Sequence, residues 1–218
     1  MANEINEPIS STIGCRMLVA SDQDQVEKLI LDSYTTREAM GQALSNVTPA
    51  DLKEHHLNVM KKYLPQGLSF GAYDLKTEEL IGLVLMGLPC EAKKQKLNDI
   101  GKKMAKFIAD LNLALPDDAK TSRCALIEAV TVREDFCNMG IMTALWDRCK
   151  LIGKAFNCSY VTGECTSVYS QKIAKKLGYT LLNTIGFLEY IDETTKEKWF
   201  SSAKPPHLTA QLVCLKLA

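Results

Sequence analysis

One segment near the middle of the chain, residues 125–145, constrains the fold more than any other part of the sequence. It begins with apolar and β-branched residues typical of a buried strand, passes through a polar turn that contains Gly140, and continues as an amphipathic helix. The apolar face of that helix is formed by Ile141, Leu145, Cys149, Ile152 and Phe156. This order predicts a strand–turn–helix unit at the centre of the fold.

The predicted start of this helix has the chemistry of an anion-binding site. The first N–H groups of a helix lack partners within the helix and lie at the positive end of its dipole, where phosphates bind. Gly140 would let an anion approach the backbone because glycine has no Cβ. The segment contains neither a dinucleotide fingerprint nor a P-loop. Taken alone, it is better interpreted as an ordinary strand-to-helix turn.

Charge and composition exclude several classes of protein. The chain has 218 residues, and 26 basic residues balance 26 acidic ones. A nucleic-acid binder needs an excess of positive charge, so we expect no nucleic-acid partner. No apolar run approaches the length of a membrane span, and the N-terminus lacks the regions of a secretion signal. We therefore expect no membrane association.

The cysteines indicate a reducing compartment. Eight cysteines lie at positions 15, 90, 124, 137, 149, 158, 165 and 214, and none forms a C-x-x-C pair. Their spacing does not suit zinc, so we expect no metal site. Most have apolar neighbours, among which cysteine packs as a small core residue. In a chain without a secretion signal, this favours reduced thiols and a cytoplasmic location.

Strands and helices alternate along the whole chain. We predict strands at 15–20, 68–73, 80–87, 125–132, 159–165, within 179–190 and at 208–217, and helices from Ser21, from Thr48, over 91–115, from 141 and from 166. Residues 1–12 have the composition of a flexible polar tail. No linker, composition break or internal repeat divides residues 13–218. The pattern predicts one α/β (or α+β) domain with a mixed sheet.

Two segments resemble the GCN5-related N-acetyltransferase superfamily. Residues from Val132 to Met142 are similar to its coenzyme motif, in which a strand ending in valine leads into Arg/Gln-x-x-Gly-x-Gly/Ala. Residues from Cys165 to Tyr179 are similar to the late helix of the family, which ends in Leu-Gly-Phe. The resemblance implies a single domain with a mostly antiparallel mixed sheet flanked by helices. It also implies acetyl-CoA as the cosubstrate and no metal.

Within that superfamily, the closest likeness is to invertebrate arylalkylamine N-acetyltransferases. Residues 34–40 are similar to their early Phe-x-x-Asp-Glu-Pro-Leu segment, and Glu38 takes the place of its catalytic glutamate. Residues 166–171 are similar to their late motif. The resemblance implies a monomer or weak dimer that acetylates a small primary amine, an arylalkylamine in the first place. Polyamines or protein amines are alternative acceptors, and a catalytically silent CoA-binding domain is a third possibility.

The resemblance assigns the coenzyme to residues of both motifs. They are Val130, Thr131, Val132, Cys137, Asn138, Met139, Gly140, Ile141, Met142, Thr143, Ser167, Tyr169 and Lys172. Two of them depart from the family pattern, since Cys137 replaces arginine or glutamine and Met142 replaces glycine or alanine. Both positions chiefly offer backbone N–H groups. Diphosphate binding therefore requires the side chain of Met142 to point away from the phosphates.

The implied reaction needs a base. An alkylammonium with a pKa near 10.4 is neutral in only about one molecule in two thousand at pH 7, and only the neutral amine attacks a thioester. Glu38 is the first candidate for this base, although without the resemblance it is better interpreted as a surface carboxylate beside Arg37. Glu128, on the central strand, is the second candidate.

The resemblance also implies groups that act on the other reacting atoms. A strand N–H within 130–132 could stabilise the oxyanion. Many relatives carry a tyrosine acid where this chain has Ala174, so the role of proton donor would pass to Tyr169 or Ser170. Packing on the helix face is an equal alternative for Tyr169.

Overall fold

A seven-stranded sheet forms the centre of the fold in a computed structural model that describes residues 2–89 and 97–217. Its strands are β1 (Ile13–Met17), β2 (Phe70–Asp74), β3 (Leu80–Gly87), β4 (Cys124–Val132), β5 (Tyr160–Cys165), β6 (Thr180–Gly186) and β7 (Thr209–Lys216). They lie in the order β1-β2-β3-β4-β5-β7-β6. All neighbours are antiparallel except β4 and β5, which are parallel. The predicted single domain with a mixed, mostly antiparallel sheet is confirmed.

Helices cover both faces of this sheet. They are α1 (Ala2–Ile5), α2 (Gln23–Leu29), α3 (Ala39–Ala43), α4 (Pro49–Tyr63), α5 (Asp99–Asn112), α6 (Asp117–Thr121), α7 (Ile141–Ala155) and α8 (Val168–Lys176). Helices α7 and α8 pack in the main core, whereas α2 and α4 contribute to a second core and α3 and α5 to a third. Within residues 2–89 and 97–217, no helix has the length and apolar character that crossing a bilayer requires.

The helix starts show which sequence signals are reliable. The predicted start at Thr48 is confirmed: the Thr48 hydroxyl accepts from the amide of Asp51, and the Asp51 carboxylate accepts from the amide of Thr48. Helix α5 begins later than predicted, at Asp99, because Asn98 caps it. The first part of that predicted helix, residues 91–96, lies outside the described residues.

The prediction that Ser21 caps the second helix is wrong. Ser21 lies inside a 3₁₀ turn (Ala20–Asp22) that precedes α2. The neighbouring carboxylate, Asp22, accepts instead from the amide of Val19 at 2.8 Å and from the Arg16 guanidinium at 2.7 and 2.8 Å. A carboxylate paired with arginine accepts stronger hydrogen bonds than a hydroxyl, so Asp22 fixes this corner.

The first residues also differ from the expected loose tail. Ile5 is 5% exposed and belongs to the main core. The backbone oxygen of Glu7 accepts from the guanidinium of Arg148, a residue of α7. Burial of one apolar side chain thus holds the start of the chain against the domain.

Strand β4 contains a β-bulge at Glu128. Ala129 pairs with Leu85 and Ile127 with Met86, so Glu128 is the extra residue on its strand. The bulge changes the alternation of side chains along β4. As a result, Ile127 before the bulge and Val130 after it both pack on the main core.

A gap opens between β4 and β5 at the same place. Their parallel pairing ends at Ile127 and Gly163. Strand β4 nevertheless continues beside β3 as far as Val132, and β5 continues beside β7 as far as Cys165. The bulge bends β4 away from β5, so the ends of the two parallel strands diverge.

The ion pair of Asp22 allows a test of this fold. Asp22→Asn removes the charge that Arg16 binds, and we expect a loss of about 1–3 kcal/mol in the free energy of unfolding at pH 7. Because Arg16 lowers the pKa of Asp22, its stabilisation is present above the unfolded pKa of about 3.9 and is lost as the pH falls through the lower folded pKa. The deficit of the variant should therefore shrink in acid.

The matched control for this test is Asp32→Asn. Its partner is Lys28 in an exposed i,i+4 pair, which contributes about 0.5 kcal/mol or less. Urea unfolding of both variants at several pH values measures the loss in the free energy of unfolding. Equal losses in the two variants would contradict a special role of the Asp22–Arg16 pair in holding this corner.

Candidate active site

The turn after β4 leads into a helix with an open N-terminus. Gly140 caps α7 with a φ of 77°, a left-handed conformation that favours glycine, and no side chain caps the helix. The amides of Ile141, Met142 and Thr143 therefore have no partner within their helix. The predicted helix start directly after Gly140 is confirmed.

The side chains of this turn leave those amides accessible. A Cβ built on Gly140 would meet no atom within 4 Å. Met142 is half-buried and packs against the main core, so its side chain points away from the open amides, as diphosphate binding requires. Asn138 and Met139 lie exposed at the tip of the turn, and Cys137 is half-buried at its base.

The edge of β4 that faces the gap also carries open backbone groups. The amide of Arg133 donates to the carbonyl of Ile81 on the β3 side at 2.7 Å. Backbone groups alternate along a strand, so those of Val130 and Val132 point into the gap, whereas those of Thr131 point to β3. An extended chain in the gap can pair with the backbone of Val130 and with the amide of Val132, whereas the carbonyl of Val132 already accepts from Arg37. Thr131 was also assigned to the coenzyme, but its side chain is buried and its backbone groups point to β3 and not into the gap.

These features fit the shape and chemistry of CoA. The amides of α7 and the glycine beside them suit a diphosphate, and the open edge of β4 suits an extended amide-containing arm. The two sites are continuous, because the turn that ends β4 begins α7.

Glu38 lies on the β5 side of the gap, where it caps the short helix α3. It is 5% exposed, and its Oε1 accepts from the Met40 amide at 2.9 Å while its Oε2 accepts from the Gly41 amide at 2.5 Å. The hydroxyl of Thr166, directly after β5, donates to Oε1 at 2.8 Å. Burial raises the pKa of Glu38, and these three hydrogen bonds oppose the rise. The structure thus joins two segments that the sequence paired only through the family resemblance.

The start of α8 is built by its own side chains. The Ser170 amide donates to the Ser167 hydroxyl at 3.1 Å, and the Ser170 hydroxyl donates to the Ser167 carbonyl at 2.9 Å. The amide of Val168 donates to His207 Nδ1 at 3.2 Å. Both serine hydroxyls therefore take part in capping the helix, and the role of Ser170 as proton donor stays a prediction.

Two other residues of α8 face outward. Tyr169 is 61% exposed, and its ring packs edge-on against His207 with the centroids 5.3 Å apart. Lys172 is exposed on the same helix. The role of Tyr169 as proton donor stays a prediction.

Glu128 and Glu164 face each other where the strands diverge. They are the next residues after the last β4–β5 pair, Ile127 and Gly163. Asn112 Nδ2 donates to Glu164 Oε1 at 2.8 Å, and Tyr63 hydrogen-bonds to Glu128. Burial and the charge of Glu128 raise the pKa of Glu164 to about 7, and burial raises the pKa of Glu128.

Tyr34 completes this acidic interior. Burial and the charges of Glu38, Glu128 and Glu164 together raise its pKa. Tyr34 therefore lies among three carboxylates that come from the turn before α3, from the bulge of β4 and from the end of β5. Beside that turn, a cavity of about 260 Å³ is lined by residues of 37–43 and 202–207.

Arg37 connects the segment before α3 with the end of β4. Its Nε donates to the Ser33 carbonyl at 3.0 Å and its Nη2 to the Val132 carbonyl at 2.5 Å. Its Nη1 lies 3.5 Å from Cys137 Sγ. The residue before Glu38 thus reaches the end of β4 and the base of the α7 turn.

Known structures share this architecture. Arylalkylamine N-acetyltransferase-like 5b of mosquito superposes with a TM-score of 0.80 at 18% identity, over 94% of this chain and 100% of that one. Arylalkylamine N-acetyltransferase 2 of Aedes aegypti gives 0.80 at 18% identity, over 94% and 99%. Polyamine N-acetyltransferase of Drosophila melanogaster gives 0.77 at 21% identity, over 94% and 100%. The chain has the fold of the GCN5-related N-acetyltransferases.

Comparison of sequences alone does not detect a relationship to these proteins. No protein-family model matches the chain, and no curated protein sequence matches it. At the identities above, the superpositions establish the fold, and the substrates named for those proteins remain theirs.

Two residues of the site were missed by the sequence analysis. Glu164 is an acidic residue at the end of a predicted apolar strand, which is a usable signal for a group held in a buried site. Arg37 was considered only as the neighbour of Glu38. No local pattern indicates that it reaches Val132 and Cys137, about a hundred residues away in the chain.

Gly140 provides a test of the open helix start. Gly140→Ala should cost about 1–2 kcal/mol in the free energy of unfolding, because alanine is strained at positive φ. The added methyl group would also occupy the approach to the amides, so we expect CoA to bind on the order of tenfold more weakly. Calorimetry and denaturant unfolding measure the two effects.

Gly178→Ala is the matched control. Gly178 has a φ of 80° and equally open surroundings but lies beyond α8. It should lose similar stability and keep its affinity for CoA. Equal affinities of the two variants would show that the α7 amides do not hold the diphosphate.

Proposed function

We propose that this protein is an acetyl-CoA-dependent N-acetyltransferase that acts on a small primary amine. The observation that carries the proposal is the gap between β4 and β5. Open amides for a diphosphate lie at its outer end, and carboxylates with raised pKa values lie at its inner end. The coenzyme supplies an acetyl thioester when bound.

The base in this proposal is the pair Glu128 and Glu164. A general base is most effective when its pKa lies near the working pH, which matches the pKa of about 7 for Glu164. The two carboxylates do not ionise independently, so the pair shares one proton below about pH 7, and above that pH the fully ionised pair can take a proton from the amine. The pair lies at the point where the strands part, which places it beside any group that enters the gap.

Glu38 acts in this scheme as a positioning residue. Both lone pairs of its Oε1 are engaged, by the amide of Met40 and the hydroxyl of Thr166, and Oε2 already accepts from Gly41. One lone pair on Oε2 remains for a proton, which makes Glu38 a weaker acceptor than the pair on the strands. Its bonds hold α3 against the end of β5.

The chemistry of the inner site favours amines in two classes. The Tyr34 ring beside the carboxylates supports the arylalkylamine expected from the sequence, since an aromatic ring can pack on it. The three carboxylates also favour a second candidate, an amine with a further cationic group. The Drosophila melanogaster enzyme above, which forms N-acetylagmatine, makes a guanidino amine a reasonable member of that class.

The remaining expectations stay predictions. They are a cytoplasmic location, a monomer or weak dimer, and the lack of a metal, a nucleic-acid partner or a membrane association. Within residues 2–89 and 97–217, seven cysteines are free.

An amine panel tests the proposed activity. The purified chain is mixed with acetyl-CoA and with phenylethylamine, tyramine, agmatine, spermidine or a lysine peptide, and the released thiol is followed by fluorescence. We expect turnover with at least one small amine and little with the peptide. Thermal stabilisation by CoA without turnover on any amine would favour a silent CoA-binding domain instead.

The pH dependence tests the carboxylate pair. In the wild-type chain, kcat/KM should rise through about pH 7 as the pair loses its shared proton. Glu128→Gln removes the neighbouring charge, so the pKa of Glu164 falls and the rising limb moves to lower pH. Glu164→Gln should lower kcat about 10²- to 10⁴-fold.

Stability gives a second readout for the pair. The folded chain keeps a proton on Glu164 that the unfolded chain loses near pH 4.3, so wild-type stability falls between about pH 4 and 7. Glu164→Gln should flatten this fall, and Glu193→Gln, in an exposed loop, should change neither property. If Glu128→Gln and Glu164→Gln both keep the wild-type pH profiles of kcat/KM and of stability, the two carboxylates are not the base.

A further inference from the structure

The turn after β4 has no unpaired arginine to offer the proposed coenzyme site. Relatives in the resembled family carry arginine or glutamine at the position of Cys137, and this chain carries a thiol. The turn itself supplies one arginine, Arg133, and two carboxylates, Glu134 and Asp135. Arg133 is already bound to Asp135 at 2.7 Å and to Glu79 at 2.9 Å. The turn therefore offers a diphosphate open amides but no uncommitted cation of its own.

Arg37 brings a cation to the same place from another part of the chain. Its guanidinium lies 3.5 Å from the Cys137 sulfur and 2.5 Å from the Val132 carbonyl. Among residues 2–89 and 97–217, its partners are carbonyl oxygens and this sulfur, and no carboxylate neutralises it. Carbonyl partners hold the guanidinium in position and leave its positive charge intact.

The position of Arg37 also suits contact with an incoming anion. The side chain is exposed, and it approaches β4 from the gap, because the backbone of Val132 points there. A guanidinium has five N–H donors, of which the contacts above use three directions. The remaining donors can bind phosphate oxygens in the forked geometry that arginine favours.

We propose that Arg37 binds the diphosphate of the coenzyme and supplies the cation that the turn after β4 does not offer. This proposal rests on the proposed function and adds a residue to its coenzyme site. Arg37 immediately precedes Glu38, so the contact also links occupancy of the outer site to the segment that forms the wall of the inner one. In this arrangement the cation comes from the segment directly before Glu38 and not from the turn after β4.

The experiment compares Arg37→Ala and Arg37→Gln with the wild-type chain. Binding of CoA is measured by calorimetry, and we expect both variants to bind at least tenfold more weakly because a charge-assisted bond is lost. Arg37→Gln keeps an N–H donor for Val132 and so controls for loss of fold. Arg123→Ala, an exposed arginine at the other end of β4, removes the same charge and should leave the affinity unchanged.

A truncated donor separates binding from positioning. S-acetylpantetheine lacks the diphosphate, so kcat/KM with this thioester should be nearly equal in Arg37→Ala and wild type while kcat/KM with acetyl-CoA falls. Cys137→Arg in the Arg37→Ala background restores a cation at the position used by relatives and should recover most of the affinity for CoA.

Three results would overturn the proposal. Wild-type affinity of Arg37→Ala for CoA would show that the guanidinium does not contact the diphosphate. An equal fall with both donors would show that Arg37 only positions the Glu38 segment. A wild-type chain that binds no CoA would overturn the proposed function together with this inference, whereas the first two results leave the proposed function intact.

Discussion

The loss of pairing between β4 and β5 is the constraint on which the rest of the site depends. Parallel strands that stay paired leave no room between them and satisfy each other's backbone groups. Here the bulge at Glu128 ends the pairing after Ile127, and both strands continue on their outer partners. The sheet is held by β3 and β7, so it tolerates an opening at its centre. Glu128 lies on the face of β4 opposite the main core, as Glu164 does on β5.

Electrostatics divides the gap into two ends of opposite character. The outer end has the positive end of α7 and the guanidinium of Arg37, both of which favour an anion. The inner end has Glu38, Glu128 and Glu164, whose pKa values are raised chiefly by burial. An anionic coenzyme and a cationic amine would therefore enter from different sides. Their reacting groups would meet where the strands diverge.

Local sequence signals correctly predicted those helix starts that depend on residues close together in the chain. Thr48 and Asp51 form the capping box that their spacing indicates, and the start of α7 follows Gly140 as expected. Ser21 failed as a cap because the adjacent Asp22 is also a good acceptor and has Arg16 as a partner. When two neighbouring residues have similar local preferences, a tertiary contact decides between them.

The features that define the site are products of long-range pairing. The bulge at Glu128 depends on the register between β3 and β4, which are separated by about 40 residues of chain. The proximity of Glu164 to Glu128 requires β5 to lie beside β4, and the contact of Arg37 with Cys137 spans 100 positions. Periodicity within one segment carries no information on such contacts. The family resemblance located Glu38 and the α7 turn but gave no indication of Arg37 or Glu164.

Hydrogen exchange at the amides of Val130 and Val132 tests the account most directly. The gap leaves both amides without a strand partner, so they should exchange quickly in the free chain, while the amide of Arg133, which is bound to Ile81, should be protected. Addition of CoA should slow exchange at Val130 and Val132 and leave Arg133 as it was. Protection of both amides in the free chain, or fast exchange at both in the presence of saturating CoA, would contradict an open edge of β4 that receives the coenzyme.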